Sequence, residues 1–209
     1  MTKKLLITLS ILTLFASCGT RRCPTTFDEG VVINGVRWAT RNVDMPGTFA
    51  ESPESFGMFF QWNRKKAWSG TDRYIEDWDD FHFDFPDATK WIAQNDPCPK
   101  GWRVPTRDEF FSLRYDVVHT WTTQNGVTGR LFGDAPRQIF LPAAGYLWGV
   151  NGHLERLGET GIYWSSDRVP NQPNRLQSAY TLSFHSNGYV RADNRGWCAF
   201  GFSVRCVAK

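Results

Sequence analysis

Asp96-Pro97-Cys98-Pro99-Lys100-Gly101-Trp102-Arg103-Val104-Pro105-Thr106-Arg107-Asp108-Glu109-Phe110 is the stretch from which the fold is read. Three prolines and a glycine hold its first half in an extended, turn-like path, because proline fixes φ and steers the preceding residue away from the helical region. Thr106 is the first residue at which a helix can start. The spacing of Thr106 and Glu109 is that of a capping box: the threonine oxygen accepts from the amide of residue 109, and the carboxylate reaches back to the amide of Thr106. Asp108 adds negative charge where the helix dipole favours it. Phe110, Phe111, Leu113, Val117 and Val118 then form an imperfect helical stripe that ends before the threonine-rich run at 120–123. The stretch combines a cysteine anchor, a core tryptophan and a helix start, and by itself it names no activity.

On either side the chain is strand-rich. Val31-Val32-Ile33, Asn34-Gly35 and Val36-Arg37-Trp38-Ala39 predict a hairpin, since Asn-Gly accepts the positive φ of a two-residue turn. Residues 57–62 predict another short strand, followed by the basic and aromatic insert Arg64 to Trp68. Asp87 to Gln94 reads as a short helix. Strands are predicted at 139–142, 145–148, 153–156, 162–166, 180–184, 189–191 and 202–207, with turns at Asn151-Gly152 and Asn187-Gly188. Asp167 to Ser178, polar and rich in Pro and Asn, reads as a long exposed loop.

Residues 1–17 are set apart as a signal peptide: Lys3 and Lys4 precede an apolar run, Leu5 to Phe15, too short to span a bilayer. Phe15-Ala16-Ser17-Cys18 resembles the bacterial lipobox, with phenylalanine where leucine is usual, so Cys18 is the expected site of acylation by palmitate or a related chain. Residues 18–30 form a polar tether, and 31–209 a single domain. Without Lys3 and Lys4 the formal charge falls from +3 to +1, too little to gather nucleic acid. Gly19-Thr20-Arg21-Arg22 lacks the acidic pair that resembles a surface-export signal, which favours the periplasmic face of the outer membrane over the cell surface.

Setting Cys18 aside leaves Cys23, Cys98, Cys198 and Cys206, an even number in an exported chain, which favours disulfides. Three pairings are open. Cys98 with Cys206 would close a loop of 206 − 98 = 108 residues. Cys23 with Cys198 is then the remainder, unless Cys198 faces Cys206 locally. There is no CxxC for zinc, and no HExxH, GxSxG, Walker loop or GxGxxG. His82, His119, His153 and His185 are scattered, and Asp116 stands one helical turn from His119 without a nucleophile beside them. The expectation is no catalytic residue, no metal and no cofactor.

Several segments together resemble the Fibrobacter succinogenes major paralogous domain, a family of exported, often lipid-anchored bacterial proteins. They are Val32 to Ala39 with Asn42-Val43, Cys98 to Thr106 with Glu109, Leu141 to Tyr146, Tyr163 to Ser166, and Phe202 to Val207, in family order across residues 31 to 208. The resemblance implies an α+β, C-type-lectin-like fold: short, mostly antiparallel strands, one or two helices, long loops, and chain ends close together. It also implies Cys206 as the structural partner of Cys98, and it carries no general activity. Gly101-Trp102-Arg103-Val104-Pro105-Thr106 with Glu109-Phe110 is similar to a segment of formylglycine-generating enzymes. Those enzymes oxidise a substrate cysteine at a copper-binding cysteine pair. Here Cys198 and Cys206 have seven residues between them and Cys206 is the expected structural partner of Cys98, which disfavours that activity.

The expected function is therefore a non-catalytic envelope module, anchored by its lipid and binding a glycan or protein partner; a purely structural role is the third reading. Two places are candidates for the ligand. Residues 76–87 interleave carboxylates with aromatics, Trp78 among them, but lack the glycine turn of a calcium loop. Gln172-Pro173-Asn174 loosely resembles the tripeptide with which calcium-dependent lectins hold sugar hydroxyls, although its Trp-Asn-Asp partner is missing.

Overall fold

The computed structural model describes residues 25–70, 75–78, 88–171 and 177–209. Its first hairpin joins β1 (Val31–Ile33) to β2 (Val36–Trp38) through Asn34 and Gly35, whose φ of 49° and 78° are those a two-residue turn requires. β3 (Phe59–Phe60) pairs with β4 (Ala67–Trp68), so the basic and aromatic insert ends as a strand. The helix expected over 87–94 is not formed among the described residues. Only a 3₁₀ turn at Ala93–Asn95 appears, because Trp91 is drawn into the core with its amide donating to Ser166 O (2.8 Å).

After β5 (Trp102–Arg103) comes α1 (Arg107–Tyr115), with both halves of the capping box present. Glu109 N donates to Thr106 Oγ1 (3.2 Å), and Thr106 N donates to Glu109 Oε2 (2.7 Å). Arg103 clasps the same carboxylate with two bonds, at 2.9 and 2.5 Å. The amide of Arg107 donates to Asp167 Oδ2 (2.7 Å), which docks the helix start on the strand behind it. Burial pushes the Glu109 carboxyl up, but the bonds from Arg103 and Thr106 outweigh it and hold its pKa below the ordinary value of 4.5. A lowered folded-state pKa contributes stability that is present above the unfolded value and lost as pH falls through the folded one. Glu109→Gln is therefore expected to cost about 1–2 kcal/mol at pH 7, with the gap to wild type closing in acid. Urea midpoints measured from pH 7 to pH 3 check this; a gap that stays constant would contradict it.

The helix stops at Tyr115, short of Val117 and Val118, and the threonine-rich run becomes β6 (His119–Gln124). Asp116 and His119 thus share no helical face. Asn125-Gly126 turns β6 into β7 (Val127–Asp134), which pairs with β8 (Arg137–Pro142). A hairpin follows from β9 (Tyr146–Leu147) and β10 (Leu154–Glu155). The longest antiparallel sheet is β11 (Thr160–Arg168), β12 (Ser178–His185) and β13 (Val190–Trp197). Finally β14 (Val207–Ala208) lies between β2 and β5, bringing Val207 beside Trp38. The class is α+β: small, mostly antiparallel sheets and one α-helix among the described residues. No helix there is long and apolar enough to cross a membrane.

Three apolar clusters hold these pieces together. Phe110 and Leu113 of α1 pack with Phe132, Leu141, Tyr163, Leu182 and Phe184, so the helix covers the β11–β13 sheet and one edge of β6–β8. Trp62, Trp91, Trp102, Trp164, Phe202 and Val204 form the second cluster. Trp102 thus takes the core place expected of it. Cys98 and Cys206 are disulfide-bonded, their Cα atoms 6.0 Å apart, joining the approach to β5 with the approach to β14. Phe59, Trp68, Trp78 and Leu147 make the third cluster.

Candidate functional site

The β9–β10 hairpin and the segment after β13 are held side by side by two reciprocal bonds, Leu147 N to Gly201 O (2.9 Å) and Gly201 N to Leu147 O (3.0 Å). This brings together aromatic rings from distant parts of the chain. Phe200 stands at the centre, with Trp148 at 4.9 Å, Trp197 at 5.6 Å, Tyr146 at 5.8 Å and Phe202 stacked at 5.7 Å. Trp148 and Trp197 remain 39% and 38% exposed, so their rings form a wall open to solvent. Gly196 makes the arrangement feasible, because a Cβ there would lie 2.2 Å from the ring of Phe202.

The result is a cleft of about 300 Å³, continuous through Tyr146, Trp148 and Arg156 with a second hollow of about 390 Å³ along the hairpin. Polar groups enter from β12, β13 and the turn after β10. Thr181 is fully buried, and its Oγ1 has no hydrogen-bond partner among the described residues. Asn194, opposite it in the sheet register, donates to Ser183 Oγ (3.0 Å). His185 holds Thr160 Oγ1 at 2.9 Å through Nδ1, which leaves Nε2 for another partner. Burial first and the charge of Arg156 second keep the His185 pKa below its ordinary value, so the ring is neutral at pH 7. Flat apolar rings beside a few oriented donors and acceptors are what a compact, partly polar ligand requires.

A larger groove, about 980 Å³, runs between the first hairpin, the end of α1 and the β7–β8 turn. It is broad and carries a single aromatic ring, Tyr115, so volume alone does not make it the better site.

Of the three residues expected to bind a ligand, Trp78 alone lies among the described ones, and it stands outside the cleft. Trp78 is a correction: only 9% exposed, its Nε1 donates to Gly149 O (3.0 Å) and its ring lies 5.1 Å from that of Trp68. It is a buried prop beneath the β9–β10 turn and offers no ligand surface. Gln172, Asn174, Cys18 and Cys23 lie outside the described residues. Cys198 is a free, buried thiol, and burial pushes its pKa far above the usual thiol range. Among the described residues no three His, Cys, Asp or Glu side chains converge as metal ligands.

The cleft itself was missed. Its only signal was the density of aromatics at 146–148 and 197–202; nothing in either segment tells that Leu147 and Gly201 pair. The described residues thus define a class, a β-rich α+β scaffold carrying an aromatic cleft on one end of its longest sheet. Against protein-family profiles, curated proteins and solved structures the chain has no match.

Proposed function

We propose that this chain is a non-catalytic, lipid-anchored cell-envelope module, related to the Fibrobacter succinogenes major paralogous family and C-type-lectin-like in fold, that binds a glycan in the aromatic cleft. The observation that carries the reading is the convergence of Trp148 and Trp197 on Phe200 beside Thr181, His185 and Asn194. A sugar ring has an apolar C–H face that packs on a π face and a hydroxyl rim that needs hydrogen bonds, and this cleft offers both. The lectin-like reading draws support from the adjacency of β2 and β14, the small antiparallel sheets and the single helix. The lipid anchor rests on the leader sequence ending at Cys18.

The oxidase reading is disfavoured by two observations. Cys206 is bonded to Cys98 and offers no free thiol, and Cys198 is left as a lone thiol buried in an apolar cluster.

A glycan array probed with the full-length chain in detergent, with and without calcium, tests the proposal. Binding is expected, and Trp197→Ala should weaken it at least about tenfold, as truncation of a central aromatic contact does. Silence across the array, or binding indifferent to both Trp197→Ala and Trp148→Ala, would remove the cleft from consideration.

A further inference from the structure

We infer that the ligand of this cleft is an acidic saccharide, held by a carboxylate at Arg195 and Arg156 while its ring lies on the aromatic wall. The inference rests on the glycan reading above and concerns which glycans the cleft selects. Two guanidinium groups line the same hollow as Trp148, Trp197 and Phe200. Arg195 is exposed, and its side chain has no hydrogen-bond, ion-pair or ring partner among the described residues. Arg156 has only Glu159, 3.6 Å away with both side chains more than half exposed, an arrangement that contributes little and is easily exchanged.

Three other arginines among the described residues are committed. Arg41 is joined to Asp28, Arg103 to Glu109 and Arg191 to Asp193. Apart from Glu159 beside Arg156, acidic groups are few along the cleft. The one carboxylate lining either hollow is Glu155, on the hairpin side, and it is already 3.3 Å from His153. Beside the neutral groups Thr181, His185 and Asn194, the cleft presents two cationic donors and no carboxylate of its own lining. A guanidinium meets a carboxylate through two parallel hydrogen bonds, which supplies both attraction and orientation. Thr181 Oγ1, His185 Nε2 and the Asn194 amide are then placed for the hydroxyl rim.

Carboxylated saccharides come from two sources, uronic-acid polymers and sialylated chains, and the probes separate them. The full-length chain in detergent is titrated with trigalacturonate and its fully methyl-esterified form, and with sialyllactose and lactose, following tryptophan fluorescence. At least one acid is expected to bind about tenfold tighter than its uncharged counterpart, equivalent to ~1.4 kcal/mol. Arg195→Gln should bring that preference close to parity, with Arg156→Gln reducing it less. Trp197→Ala should weaken acid and neutral forms alike. Both arginines are exposed, so the variants are expected to fold, and near-UV circular dichroism checks that they do. Equal binding of acid and neutral forms, lost in Trp197→Ala, would overturn the acidic preference and leave the glycan cleft standing. A preference that survives both arginine replacements would overturn it as well. No binding of any of the four saccharides would overturn both.

Discussion

Replacing Arg205 by alanine is expected to destabilise the protein by about 3–5 kcal/mol, the combined cost of unpaired buried acceptors and a cavity less the relief from burying the cation. Arg205 is completely buried, and the partners of its guanidinium among the described residues are all neutral. Its Nε and Nη2 both donate to Asn42 Oδ1 (3.0 and 2.7 Å), Nη1 donates to Ala39 O (3.1 Å), and Nη2 also donates to Phe140 O (3.1 Å). Burial brings its pKa down to about 10, so the group is still charged at pH 7. Alanine would leave three buried acceptors unpaired, each costing about 1–3 kcal/mol, and open a cavity. Relief from burying the cation offsets part of that sum. Arg205→Met separates the two effects, since it fills the volume and relieves the charge but leaves the acceptors bare. It should fall between wild type and alanine. Urea unfolding provides the measurement; a loss under about 1 kcal/mol for alanine would show that water or a rearranged Asn42 replaces the guanidinium.

Loss of the Cys98–Cys206 bond should have an effect of the same size by a different route. The bond closes a loop of 108 residues, for which the chain-entropy account gives about 4–5 kcal/mol. In the folded protein it adds little proximity, because Val207 already pairs with Arg103 and Ala208 with Trp102. Its influence is on the unfolded chain. Cys98→Ser with Cys206→Ser, or reduction of the wild type, should therefore lower the urea midpoint, with the slope rising as the unfolded state expands. A midpoint unchanged on reduction would contradict this. Arg205 and Cys206 are neighbours on the same segment, so combining the two changes should not give additive losses.

How far the sequence reaches is clearest from three cases. The capping box was legible because Thr106 and Glu109 interact within one turn, and local chemistry is complete in the local sequence. The Asn34-Gly35 hairpin was legible for the same reason. The β6–β7 hairpin was not recognised, although Asn125-Gly126 is the same turn pair. His119 to Gln124 carries one apolar residue, Trp121, among five polar ones, so it lacks the alternation that marks a strand, and its threonines suggested only the end of a helix. Trp78 shows the converse error. Carboxylates around it suggested a solvent-facing ligand surface, whereas the indole is claimed by Trp68 and the Gly149 carbonyl, both distant in sequence. The cleft failed for that same reason. Its members lie on β9, the turn after β10, β12, β13 and the segment beyond, and only tertiary pairing brings them together.

The place of β14 between β2 and β5 also has a consequence for how the chain is made. Val207 follows its partner Trp38 by 207 − 38 = 169 residues. While the ribosome is still working, β2 and β5 have no strand to join them, Asn42 has no Arg205, and Cys98 has no Cys206. Until residues 205–208 have emerged this one sheet lacks its middle strand, whereas the β6–β8 and β11–β13 sheets already hold all of theirs.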